Sequence, residues 1–366
     1  MLVDIIAGAR PNFMKIAPII RVMRARAGQG GPLRYRLIHT GQHYDANMSM
    51  NFFRQLGIPE PDVNLAVGSG SAAEQTAGIM IGYEEVLIQE PSALCLVVGD
   101  VTSTMACAIT AQKQHIPVAH VEAGIRSGDW EMPEEINRLV TDAITNWFFT
   151  TSQSAGEELR RSGVAGKRIF FVGNTMIDTL VANLDQLSKP RFFEPRGLQE
   201  NEFFVATLHR PSNVDAQDQF RELLAAISEG ARGFPVVFPV HPRTAQVLSN
   251  ERVADNIVIV EPQPYLEFNW LVRNSKGVVT DSGGISEETT FLGVPCMTLR
   301  TTTERPETIE IGTNELIGTN TAALRAAFGK IFAGEWKTGA IPEKWDGRAS
   351  ERIVEKLEEI LAHGVT

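Results

Sequence analysis

Apolar residues recur along this chain in two alternating rhythms. Short runs rich in Val, Ile and Phe have the length and branching of buried strands: LVDIIA at 2–7, RYRLIHT at 34–40, ALCLVVGD at 93–100, PVAHVEA at 117–123, NWFFTTS at 146–152 and RIFFVGN at 168–174. Between them lie stretches of helical period at 11–27, 74–90, 103–114, 133–145 and 153–163. In the first of these Phe13, Ile16, Ile19, Ile20 and Met23 share a face, and Pro11 suits a first helical turn. The rhythm then restarts with EFFVATLH at 202–209, PVVFPVH at 235–241, NIVIVEP at 256–262 and KGVVTDS at 276–282. Strand alternating with helix predicts parallel, doubly wound α/β sheets, and two series predict two Rossmann-like domains. The join falls in the polar, Pro-containing segment near 173–200. A last amphipathic stretch, 349–363, reads as a terminal helix, either on the second domain or crossing back to the first. The division expected is residues 1–172 plus a C-terminal helix at 351–366, and residues 173–350.

Composition narrows the class. The chain has 366 residues, 43% of them apolar and 21% charged, with a net charge of −10. That is a soluble acidic protein with sizeable cores, and it argues against a general nucleic-acid binder, which shows a basic face. A few local cations and helix ends still suffice to hold a phosphate. Cys95, Cys107 and Cys296 sit in apolar segments and read as core residues in a reducing cytosol, without metal-ligand spacing to any histidine. MLVDIIAGARP reads as a first strand rather than a signal peptide, and no run approaches the ~20 apolar residues of a membrane span. A cytoplasmic enzyme, with no membrane or nucleic-acid partner, is expected.

The chemistry is signalled by carboxylates at strand ends. LCLVVGD ends in Asp100, and HVEAGIRSGDWEMPEEINR (120–138) gathers Glu122, Asp129, Glu131, Glu134 and Glu135 with Arg126 and Arg138. In DSGGISEE (281–288) a strand runs into Ser282, Gly283 and Gly284. The glycines admit a close backbone approach, the helix start offers N–H donors to phosphate, and Glu288 comes about one turn later, within reach of a ribose diol. Arg10 stands beside Gly8 after the first strand, with Lys15 in the helix that follows. Each signal also has a plain structural reading. Glu134 and Glu135 behind Pro133 suit any first helical turn, Ser-Gly-Gly suits any tight turn, and Phe268 suits a core. There is no G-x-G-x-x-G after the first strand and no Walker lysine motif; GSGS at 68–71 follows no convincing strand. Two nucleotide-type sheets without these signatures point to a nucleotide sugar, bound between domains at strand carboxyl ends.

GARPNFMK, GDVTST, HVEAGIRSGD, PEEINR, TLHRPSNVD, DSGGISEE and TTERPE follow one another over roughly residues 1–320. Together they resemble the non-hydrolysing UDP-N-acetylglucosamine 2-epimerase family, which interconverts UDP-GlcNAc and UDP-ManNAc. The resemblance implies a GT-B fold with its active site in the interdomain cleft, the carboxylates in the N-terminal domain and UDP in the C-terminal one. It further implies a homodimer, no cofactor, and a supply of ManNAc units for cell-surface polysaccharide. By resemblance, catalysis involves Asp100, Glu122, Glu134, Arg138 and His209. Arg10, Lys15, His241, Ser282 with Gly283 and Gly284, Glu288 and Arg305 match positions holding nucleotide or sugar, and Phe268 one near the uracil. Two departures stand out. Leu208-His209-Arg210-Pro211-Ser212 replaces the family's frequent Gly-His-Arg-Arg-Glu, and Gln42-His43-Tyr44-Asp45 replaces a Gln-His-Arg-x-Met stretch that binds a regulatory second UDP-GlcNAc.

The residue types suit the chemistry. C2–H of the sugar has no neighbouring carbonyl, so breaking C1–O first, with UDP leaving, is the workable route to an acidic C2 proton. Proton loss gives 2-acetamidoglucal, and UDP adds back as a proton arrives on the other face. Carboxylates stabilise the cationic transition state and serve as base and acid. A 2-epimerase for a modified sugar such as a UDP-diacetamido-glucuronic acid, a hydrolysing 2-epimerase and a GT-B glycosyltransferase are the alternatives.

Overall fold

Neighbouring strands pair in parallel throughout both sheets of the described residues, an arrangement that needs crossover connections rather than hairpins. The computed structural model describes residues 1–41, 55–240, 242–248 and 253–363. Among these, one sheet contains β1 (Leu2–Ala7), β2 (Arg34–His39), β3 (Val63–Asn64), β4 (Leu94–Val98), β5 (Val118–Val121), β6 (Trp147–Thr150) and β7 (Ile169–Phe171). Its order is β3-β2-β1-β4-β5-β6-β7. The other contains β8 (Phe204–Thr207), β9 (Val236–Pro239), β10 (Ile257–Val260), β11 (Gly277–Thr280), β12 (Cys296–Thr298) and β13 (Asn314–Leu316), ordered β10-β9-β8-β11-β12-β13. These are two doubly wound α/β units, the fold class expected from the sequence. β4 is buried at every residue, as a strand covered on both faces must be.

Strand order reverses between β1 and β4 in the first sheet and between β8 and β11 in the second. At such switch points the flanking loops diverge and leave a crevice at the strand carboxyl ends. The loops there are Gly8–Ala9 and Gly99–Val101 in one sheet, and Leu208–Arg210 and Asp281–Ser282 in the other. The one acid inside β1, Asp4, lies opposite Arg36 in the β1–β2 register. Arg36 grips it bidentately at 2.8 and 2.9 Å and the Tyr83 hydroxyl donates to it at 3.0 Å, so this buried charge is fully paired.

The chain divides into two compact units, Met1–Ala182 with Glu343–Thr366, and Asn183–Pro342. Residues 173–182 and 343–350, assigned above to the second domain, therefore pack in the first. Their hydrogen bonds show why. Buried Asp178 accepts from Ala349 N at 3.0 Å, Ser350 N at 2.6 Å and the Ser350 hydroxyl. Trp345, 1% exposed, donates its indole N–H to Thr151 O at 3.2 Å. Gly173, at φ +98°, sits where a Cβ would collide with the Lys344 carbonyl, so only glycine admits the returning chain. The terminal helix Ala349–Ala362 lies in this unit, and Arg26 pairs with its Glu358 at 2.5 Å. Ser350→Ala removes one donor to Asp178 and is expected to cost about 1–2 kcal/mol, read as a lower Tm with the fold unchanged by circular dichroism.

Candidate active site

The first crevice is floored by glycines. A Cβ on Gly8 would fall 1.9 Å from Ser103 Oγ, whose hydroxyl meets Thr40 Oγ1 at 2.7 Å. Asn12 ties the two crevice loops together: its Oδ1 accepts from Gly8 N at 3.2 Å and Ala9 N at 3.1 Å, and its Nδ2 donates to Val98 O at 2.9 Å. Over this floor Lys15 pairs with Glu122, both nearly buried. Gly99, at φ +68°, lies under the pair, where a Cβ would stand 3.1 Å from Lys15 Nζ and 3.6 Å from Glu122 Oε2. Glu122 itself holds φ +71°, a conformation costly for a residue with a side chain. Its N–H donates to Phe149 O at 2.9 Å, and so does that of Ala123 at 3.1 Å, which locks the turn.

One strand away, Arg138 from the Pro133–Ile144 helix binds Asp100 through Nη2 and Glu135 through Nη1, the latter at 2.8 Å. Burial opposes charge on Glu135. The N–H groups of Ser127 and Gly128, the Ser127 hydroxyl and Arg138 outweigh it and hold this carboxyl below its ordinary range. Asn137 Nδ2 donates to the Asp100 carbonyl at 2.8 Å. Asp100 is thus fixed at backbone and side chain while a quarter of the side chain stays open. Glu134 lies half-buried on the same first turn and makes no hydrogen bond or ion pair among the described residues. It is Glu135, not singled out from the sequence, that shares Arg138 with Asp100.

Beneath these groups His120, fully buried, contacts Asp142 Oδ1 through Nδ1 at 2.8 Å and the Gly99 carbonyl through Nε2 at 2.8 Å. Asp142 also accepts from Arg126 Nη1 at 2.6 Å and Gly124 N at 3.1 Å. Burial works against its charge, but His120 and Arg126 hold its carboxyl below the usual range.

The second unit's crevice is organised by Asp281, which is fully buried. It accepts from His209 N at 3.0 Å, Arg210 N at 2.9 Å and Asn213 Nδ2 at 3.2 Å, and pairs with His209 Nδ1 at 2.8 Å. His209 is half exposed, with Nε2 on the ring edge away from that contact. Ser282 caps the helix Gly283–Leu292 with its hydroxyl unspent on the first turn. Gly283 and Gly284 open that helix, and a Cβ on Gly283 would come within 2.7 Å of Glu304 Oε1. Glu288 is buried and receives Asn269 Nδ2 at 3.2 Å, with the Tyr265 hydroxyl against the same carboxylate. Arg305 forms a buried pair with Glu287 at 2.5 Å, where an isolated TERPE loop would read as a surface ion pair. Phe268 is partly buried against the cluster containing Phe193, Leu271 and Val278. His241, Gln42 to Asp45 and the side chain of Arg10 lie outside the described residues.

Of the sequence candidates, then, Asp100, Glu122, Arg138 and Lys15 meet at one crevice of the first unit, and Glu134 lies on the helix that supplies Arg138 without a hydrogen bond or ion pair to them. His209 and Ser282 with its glycines meet at the corresponding crevice of the second, with Glu288 one turn further along the helix. Asn12, Glu135, Asp142 and Asp281 were not singled out. Asp281 does end an apolar strand as Asp100 does, the signal by which it could have been found.

Comparison with known proteins concurs. The family model for UDP-N-acetylglucosamine 2-epimerase matches residues 27–358. A UDP-N-acetylglucosamine 2-epimerase of Methanocaldococcus jannaschii is 39% identical over 368 residues, 98% of this chain and 99% of that one. A UDP-2,3-diacetamido-2,3-dideoxy-D-glucuronate 2-epimerase of Pseudomonas aeruginosa is 36% identical, covering 97% and 99%. The crystal structure of the M. jannaschii UDP-GlcNAc 2-epimerase in complex with UDP-GlcNAc and UDP superposes with a TM-score of 0.86 at 38% identity, over 100% of both chains. With its carboxylates and glycines gathered at the switch points of two doubly wound sheets, this chain belongs to the UDP-N-acetylglucosamine 2-epimerase family of isomerases.

Proposed function

We propose that the protein is a non-hydrolysing UDP-N-acetylglucosamine 2-epimerase that interconverts UDP-GlcNAc and UDP-ManNAc by elimination and re-addition of UDP. The observation that carries this reading is the pairing of Asp100 and Glu122 at the carboxyl ends of adjacent strands, each held by its own cation. Inverting C2 takes two proton transfers on opposite faces, hence two groups. In this mechanism the C1–O bond to UDP breaks, a carboxylate takes the C2 proton, and C1=C2 forms. UDP then returns to C1 as a second acid delivers a proton to the other face of C2. Asp100 and Glu122 are assigned this acid–base work, with Glu134 a third carboxylate at the same end of the sheet and Arg138 orienting Asp100. His209, Ser282, Gly283 and Gly284 are assigned to the diphosphate, with Arg10, Lys15, His241 and Arg305. Glu288 is assigned to the ribose and Phe268 to the uracil. No net redox step occurs, since one proton and UDP leave and one proton and UDP are added back. A cytoplasmic homodimer supplying ManNAc units for cell-surface polysaccharide completes the reading; light scattering checks the dimer.

The test is incubation with UDP-GlcNAc alone, followed by NMR. UDP-ManNAc is expected to appear without any acceptor, and in D2O its C2 position is expected to carry deuterium. Release of free ManNAc and UDP would mark a hydrolysing enzyme. No turnover without an acceptor would favour a glycosyltransferase. The similarity to the P. aeruginosa enzyme supports a second reading, a 2-epimerase for a diacetamido-glucuronate sugar, so that nucleotide sugar belongs in a parallel tube; faster turnover there reassigns the substrate.

A further inference from the structure

We propose that His120 is a positioning residue for the reaction, clamping the Gly99 carbonyl so that the next residue, Asp100, stays in place. This rests on the acid–base reading of Asp100 and Glu122 above. Three observations on one side chain carry it. His120 is fully buried, and both ring nitrogens meet acceptors: the Asp142 carboxylate at 2.8 Å and the Gly99 carbonyl at 2.8 Å. Both nitrogens therefore donate. Asp142 is anchored from a different side by Arg126 at 2.6 Å and by Gly124 N at 3.1 Å, so the ring is held by a fixed support. The carbonyl it grips belongs to the left-handed glycine that floors the Lys15–Glu122 pair and directly precedes Asp100.

A histidine needed only to fill space would not require donors at both nitrogens. Gly99 has no side chain to pack, and among the described residues two hydrogen bonds pin its left-handed turn, N–H to Val121 O at 3.0 Å and C=O from His120 at 2.8 Å. Losing the second frees the peptide joining Gly99 to Asp100. Arg138 and Asn137 still reach Asp100 from the Pro133–Ile144 helix, so the consequence is a misplaced acid rather than a lost one. Most of the groups assigned above to the nucleotide, His209, Ser282 with its glycines, Glu288 and Phe268, belong to Asn183–Pro342 and touch neither His120 nor Gly99, so binding of UDP is expected to be largely spared.

The experiment separates the two nitrogens. A glutamine amide reaches as far as Nε2, and an asparagine amide only as far as Nδ1. His120→Gln keeps a donor for Gly99, whereas His120→Asn keeps the one for Asp142. His120→Asn is expected to lower kcat about 100-fold with Kd for UDP held within about threefold, and His120→Gln to stay within about tenfold of wild type. A crystal structure of the His120→Asn protein is expected to show the Gly99–Asp100 turn displaced. Equal losses in the two variants, wild-type kcat in His120→Asn, or an undisturbed turn overturns the proposal. Where His120→Asn gives no folded protein, His120→Gln decides: retained turnover supports the clamp and lost turnover in folded protein overturns it, as does failure of both to fold. A wild-type protein without epimerase activity sinks the functional reading instead, and the position of the turn in the variant then judges the clamp alone.

Discussion

Glu122→Gln is expected to lower kcat by about 10³-fold while UDP binds as before, because the amide can neither take nor give a proton at C2. Asp100→Asn is expected to lose turnover on the same scale. The environments of the two acids differ, which makes the pair informative. Glu122 sits in a left-handed backbone conformation against Lys15, nearly closed off from solvent, whereas Asp100 is held by Arg138 and keeps a quarter of its side chain open. Glutamine at 122 leaves buried Lys15 facing an amide, so some stability is lost with the chemistry. Asp100→Asn leaves Arg138 its partner Glu135 and so reads the chemistry more cleanly. The measurements are kcat by NMR, Kd for UDP by calorimetry, and wash-in of deuterium at C2. A variant that takes up deuterium at one epimer only would assign that carboxylate to one face. Wild-type kcat in both variants would remove the acid–base assignment.

Asp281→Ala is expected to destabilise the second unit by about 3–5 kcal/mol, a drop in its Tm of roughly 10 °C. The substitution strands donors from His209, Arg210 and Asn213 and frees the His209 ring, so UDP affinity is expected to fall as well. The pH dependence has a definite sign. Burial works against the charge of Asp281, but His209 and the N–H groups of His209 and Arg210 prevail and hold its folded pKa below the ordinary value. A carboxyl whose pKa is depressed by folding contributes its stability in full above the unfolded pKa of about 3.9 and loses it as pH falls through the folded pKa. Wild type is therefore expected to lose Tm steeply in that acid window, and Asp281→Ala to lose less there. Parallel slopes for the two proteins would contradict the linkage.

Much of the architecture was legible because each long strand is an apolar run between helical stretches. LVDIIA became β1 and LCLVV became β4, and the stretch read as helical at 103–114 became Thr102–Lys113. The strands left unread were β3, β12 and β13, each two or three residues long, too short to show a period. The carboxylates at strand ends were also readable. What was not readable was which side of a helix an acid takes. PEEINR offers Glu134 and Glu135 equally, but three residues separate Glu135 from Arg138, which stacks them on one face, and Glu134 points about 100° away. That inward face carries Glu135, Arg138, Thr141 and Asp142, so its period is written in polar residues and escapes a search for apolar ones. Asp281 carried the same strand-end signal as Asp100, but its donors, like those of Asp142, come from segments distant in sequence, so their roles emerge only in the folded sheet.

The first unit is assembled from two stretches of chain with the whole of the second between them. During synthesis the ribosome therefore releases every residue of Asn183–Pro342 before the helix that closes the first unit exists. The second unit can mature while the first still waits for its last piece. Completion of the earlier-made unit thus waits on the later-made one, and a chain stalled before Glu343 would carry a finished second unit beside an incomplete first one.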